Sequence, residues 1–187
     1  MPHIIDIDGM YEELFVLSNL CYASPHFCKS HDIGRLCEEK EYDWHYYFGH
    51  LKALVSKTLI HCSISLRVLQ DFLKNNEDVD FASLDNDARD SLVLGVFTRG
   101  SGNLTLREAC NKIIHAIEFT LSWQDLEVNA SGETPEFWDG KVILQGERDG
   151  KEWQIHLNVL SFCTATHRFL KALEDDVDWY HLYKHDR

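Results

Sequence analysis

An Asp-Gly pair at 149–150 lies between two runs of alternating apolar residues, and it narrows the possible folds more than any other feature of the chain. Lys141-Val-Ile-Leu-Gln-Gly-Glu147 comes before the pair and Glu152-Trp-Gln-Ile-His-Leu-Asn-Val159 after it. Glycine accepts the positive φ that a tight turn between twisted strands demands, so the pattern predicts an antiparallel hairpin. Trp153, Ile155, Leu157 and Val159 point to one side of it, and Gln154, His156 and Asn158 to the other. A two-stranded hairpin is marginal on its own. It must therefore rest on other apolar elements, and the rest of the chain offers helices.

Residues 10–22 read as a helix with Leu14, Leu17 and Cys21 on one face, and Pro25 and Gly34 mark 23–41 as irregular. Leu51, Leu54, Val55, Leu59, Cys62, Leu66 and Leu69 recur at spacings of three and four, predicting a long helix from about Trp44 to Asn75. A shorter helix is expected over 85–97. Thr105-Leu-Arg-Glu108 fits a capping box, which starts a helix expected to run to Leu121. A strand at 125–130 and a last helix over 161–173 complete the reading. The expected fold is mainly α: a helical bundle over 1–122, packed with a C-terminal antiparallel hairpin, three-stranded if 125–130 joins it, and a closing helix. The whole of 1–187 forms one domain.

The net charge of −13 opposes generic nucleic-acid binding and suits a surface that covers a basic partner. No apolar run approaches the roughly 18 residues that span a bilayer, so no membrane partner is expected. Acids stand where a secretory leader would be basic, which predicts a cytoplasmic protein. In that compartment the six cysteines are expected to be reduced and mostly buried. No phosphate loop, dinucleotide fingerprint or hydrolase elbow is present, and no cofactor is expected.

On an ideal wheel of the helix opened by Thr105, the residues Leu106, Cys110, Ile113, Ile114, Ile117 and Leu121 form the core face. Arg107, Asn111 and His115 follow one another at four-residue steps on its shoulder, with Glu118 beside them. A guanidinium, an amide and an imidazole on one stripe suit a phosphodiester: Arg forks onto its oxygens and His moves a proton near neutral pH. The polar reading of the same stripe is a solvated shoulder on which Arg107 pairs with an acid.

The run Leu-Arg-Glu-Ala-Cys-Asn-Lys-Ile-Ile-His over 106–115 resembles the HEPN family of small helical domains found in toxin, defence and RNA-processing systems. That family's motif is an Arg followed, usually after four to six residues, by a His. Here seven residues separate Arg107 from His115, and the alternative Asn111-x-x-x-His115 alignment puts Cys110 in the place of the Arg. The resemblance implies a metal-independent endoribonuclease acting on RNA or a nucleotide, as a homodimer. His115 would take the 2′-hydroxyl proton, Arg107 would stabilise the phosphate transition state and Asn111 would support them. The contrasting expectation is a non-catalytic acidic interaction protein: an antitoxin, immunity protein or regulatory partner of another protein.

Cys21, His26, Cys28, His31 and Cys37 offer five soft or imidazole ligands within a short irregular stretch, a possible zinc site without standard spacing. The competing reading, buried thiols beside surface histidines, expects no metal. The aromatic run Trp44-His45-Tyr46-Tyr47-Phe48 suits either base stacking or packing.

Overall fold

The computed structural model describes residues 6–37, 42–74 and 80–176. Helix α1 (Ile7–Ser30) starts on Asp6, whose carboxylate accepts the Gly9 N–H at 2.8 Å. Met10, Leu14 and Leu17 bury its apolar face. The helix continues through Pro25, where the sequence predicts irregular chain. A proline removes one intrahelical hydrogen bond. Tertiary bonds at the neighbouring Ser24 offset that loss: its hydroxyl accepts the Trp138 N–H at 3.0 Å and the Tyr47 O–H at 2.9 Å.

Helix α2 (Trp44–Lys74) buries Leu51, Val55, Leu59, Cys62, Leu66 and Leu69 at the expected spacing and Leu73 beyond them, whereas Leu54, expected in the same row, faces outward and is 42% exposed; its predicted end at Asn75 lies outside the described residues. Helix α3 (Phe81–Ala88) is capped by Asp80, which accepts the Ser83 N–H at 3.1 Å. Strand β1 (Gly95–Arg99), helix α4 (Leu106–Ile114), strands β2 (Glu118–Asp125), β3 (Glu136–Arg148) and β4 (Lys151–Asn158), and helix α5 (Val159–Asp176) follow.

The strands form one antiparallel sheet in the order β1-β4-β3-β2. This corrects the helical-bundle expectation: among the described residues the chain is an α+β fold with a four-stranded sheet, and two of its strands come from segments read as helix. The helix expected over 85–97 stops at Ala88, and Ser91 takes a left-handed φ of 62° that helix cannot hold. Gly95 then lies against β4 so closely that a Cβ would meet the His156 carbonyl oxygen at 2.6 Å. The helix expected to reach Leu121 stops at Ile114. Past it the Ile117 N–H bonds to the Gln145 carbonyl at 2.8 Å, and Glu118–Leu121 pair with Gln145–Val142. Leu121 is buried by period-two alternation instead, while Ile117, expected in the core, is 76% exposed. The strand expected at 125–130 begins earlier, and residues 126–130 belong to the β2–β3 connection.

The hairpin is as read. Asp149 and Gly150 take φ of 53° and 72°, the paired left-handed conformations of a tight hairpin turn. Trp153, Ile155, Leu157 and Val159 are buried. Together with Trp138, Val142 and Leu144 they meet Leu17, Phe162, Phe169 and Leu170 in one continuous core between sheet and helices. No helix among the described residues is long and apolar enough to cross a membrane.

Candidate functional site

Helix α4 carries the residues singled out above, and its start is fixed from two sides. Thr105 sits in extended backbone, φ −71° and ψ 167°, and its hydroxyl accepts the Glu108 N–H at 3.1 Å. The reciprocal half of the capping box is not made. The Thr105 N–H bonds the Asn103 carbonyl, and the Glu108 carboxylate accepts from Asn111 and lies 3.4 Å from the Lys112 ammonium. The Leu106 N–H is taken by Asp85, a carboxylate only 4% exposed that also meets Arg89 Nε at 2.8 Å. One buried acid thus ties α3 to the first turn of α4.

The structure divides the stripe. Arg107 Nη2 donates to Asp71 Oδ1 on α2 at 2.6 Å, and its Nη1 is buried with no partner among the described residues. Arg67 meets the other Asp71 oxygen at 3.2 Å and donates from Nε to Asn111 Oδ1 at 2.9 Å. The hydrogen bond from Arg107 holds the Asp71 carboxyl below its ordinary value; burial opposes it, and the charges of Arg67 and Arg107 add to the lowering. Arg107 and Asn111 therefore clamp α4 onto α2. Glu118 lies on β2 and leaves the stripe altogether.

His115 is the C-cap of α4, with its backbone N–H on the Asn111 carbonyl and its ring exposed. It opens into a cavity of about 500 Å³ lined by Asn111, Lys112, His115, Arg148 and Trp153, together with Glu108, Glu147 and Ile117. Arg107 does not line it. The Lys112 ammonium sits 4.2 Å from the Trp153 ring centroid, a cation–π contact that accounts for its 7% exposure. Arg148 is largely exposed at the rim. Two acids balance two permanent cations here, so the cavity is close to neutral within a strongly acidic chain. It can hold a polar group against an aromatic wall, but it does not focus anions as a strongly basic cleft does.

The cysteine–histidine set is spread by helix α1. Cys21, His26 and Cys28 are all helical, and residues two apart on a helix point about 200° from each other. Cys28 is buried beside Ser24, and His26 is exposed. His31 packs its ring on Phe27 and Tyr42 at 4.7 and 4.9 Å, and Cys37 lies in the turn after Gly34. Burial, with the charge of Asp139, pushes the Cys21 thiol up to about 12. No group of three His, Cys, Asp or Glu side chains suited to a metal gathers among the described residues. The aromatic run is divided: Trp44 packs on Phe48 and Trp123 and Tyr47 on Phe27, while His45 is exposed and Tyr46 is 56% exposed beside His50.

The sequence reading missed Asp71, Lys112 and Arg148 as parts of this region. Asp71 is distant along the chain and carries no local signal. Arg148 beside the hairpin turn was placed as a turn residue only. No family model, no curated protein and no solved structure matches the chain.

Proposed function

We propose that the chain is a non-catalytic, acidic interaction protein of the cytoplasm, a regulatory or antitoxin-like partner that engages a basic protein surface. The observation that carries this reading is the engagement of Arg107 by Asp71, away from the cavity into which His115 opens. Phosphodiester cleavage needs the proton acceptor and the charge stabiliser within hydrogen-bond reach of one phosphate. In this chain those two groups serve different places. The charge of −13 then favours steering toward a cationic partner over capture of RNA.

A second reading, an endoribonuclease of the kind the HEPN resemblance implies, is favoured by one observation: exposed His115 shares its cavity with Asn111, Lys112 and Arg148. In that reading Arg148, not Arg107, stabilises the phosphate. Incubation of the purified chain with single-stranded RNA decides between them, using wild type, His115→Ala, Arg107→Ala and Arg148→Ala. The interaction reading expects no cleavage by any of the four. Cleavage by wild type that is lost in His115→Ala and Arg148→Ala but retained in Arg107→Ala overturns it in favour of the nuclease.

A further inference from the structure

Helix α2 buries one side and leaves the opposite side exposed over its middle turns, up to Asp71, where Arg107 of α4 meets it. With Cys62 as reference and about 100° per residue, Leu51, Val55, Leu59, Leu66, Leu69 and Leu73 all fall within about 60° of one direction. Lys57, Ile60, Ile64, Val68 and Asp71 fall on the opposite side. Ile60, Ile64 and Val68 are 40%, 46% and 38% exposed and follow at four-residue steps, which makes one ridge of β-branched side chains. Such residues are weaker helix formers than the Leu, Lys or Glu usual on a solvated face. Helix propensity gives no reason for this ridge, whereas packing against another surface does.

We propose that the ridge is where two copies of this chain associate, α2 lying antiparallel across α2 about a two-fold axis at Ile64. Three features of the ridge select a second copy as the occupant. First, it is self-complementary. The axis sets Ile64 against itself, Ile60 against Val68 of the second copy, and Lys57 toward Asp71 of the second copy, as an isologous contact requires. Second, the charges fit. Lys57 has no ion-pair partner among the described residues, and Asp71 keeps 55% of its side chain exposed after meeting Arg67 and Arg107. Third, the ridge side of α2 carries one cation, Lys57, to set against its one acid, Asp71. It is therefore a surface on which two chains of charge −13 meet without acid facing acid. An antiparallel arrangement also opposes the two helix dipoles.

The ridge is smaller than the roughly 800 Å² per partner of a standard interface, so the association is of the weak, reversible class. Sedimentation equilibrium of the full chain from about 1 to 200 μM tests it. Wild type is expected to shift from monomer to dimer mass across that range. Ile64→Glu, which brings two carboxylates together at the axis, is expected to weaken association at least about tenfold. Its circular dichroism and melting temperature should stay unchanged, because position 64 is exposed. Ile64→Cys under mild oxidation is expected to give a disulfide-linked dimer that Phe15→Cys, on an exposed part of α1, does not give. A wild-type chain that stays monomeric throughout overturns the proposal, as does an Ile64→Glu variant that associates like wild type. A dimer that fails to cross-link through position 64 overturns the axis.

Discussion

Replacing Asp85 by alanine should lower stability by about 4 kcal/mol, through two separable losses. Asp85 is 4% exposed, and its oxygens serve Arg89 Nε at 2.8 Å and the Leu106 N–H at 2.9 Å. Removing one member of a buried ion pair costs about 3–5 kcal/mol. Arg89 keeps 16% side-chain exposure and a bond to Asn86, so the lower end applies. The Leu106 N–H, at the fully buried first residue of α4, then loses its acceptor, at about 1–3 kcal/mol. A chain of this size melts about 2–4 °C lower per kcal/mol, which gives a fall of about 8–16 °C. Asp85→Asn keeps an oxygen for Leu106 but turns its amide nitrogen toward the Arg89 guanidinium, so it should lose the ion-pair share, about 3 kcal/mol, and keep the Leu106 share. Urea denaturation followed by circular dichroism at pH 7 measures both. If Asp85→Ala costs under about 1 kcal/mol, or Asp85→Asn costs as much as Asp85→Ala, the account of α4 as held by a buried carboxylate is wrong.

Acid should act on the α2–α4 clamp. The Asp71 carboxyl is held low by Arg107 and Arg67, so its contribution is complete above its unfolded value of about 3.9 and is lost as pH falls through the lower folded value. Melting curves from pH 7 to 2 should show Asp71→Asn less stable than wild type at pH 7 and flatter below about pH 4; parallel curves would refute the clamp. Burial pushes the thiols of Cys21, Cys110 and Cys163 up to about 12 and raises those of Cys28 and Cys62. Native protein at about pH 8 should therefore leave these five thiols unreacted toward Ellman's reagent, and denatured protein should react at all six cysteines. Two or more rapid equivalents in the native state would contradict the burial described.

The hairpin was legible because its signal is local: Asp149-Gly150 dictates the turn, and alternation dictates the face. Helix α2 and the Thr105 cap were legible for the same reason. The errors fell where two periods coincide or where tertiary bonds decide. Ile117 and Leu121 are four apart, which satisfies a helix, but Leu121 is also buried by strand alternation, and pairing with β3 determined the outcome. Pro25 was read as a break, yet Ser24 is held from α2 and β3 by bonds no local rule foresees. At the candidate site the helical spacing of Arg107, Asn111 and His115 was correct over one turn. What each side chain faces depends on Asp71, Arg67 and Arg148, contributed by other elements.

The sheet order has a kinetic consequence. β1 belongs by sequence to the helical half, yet it hydrogen-bonds only to β4, so Gly95 waits for Leu157. β2, β3 and β4 can zip as consecutive neighbours, but the outer edge of β4 stays open until a far earlier segment returns to it. Closing so distant a pair is slow relative to local helix formation. A nascent or refolding chain should therefore pass through a stage with helices formed and an unsealed β4 edge, the interval in which this protein is most open to strand exchange with another copy.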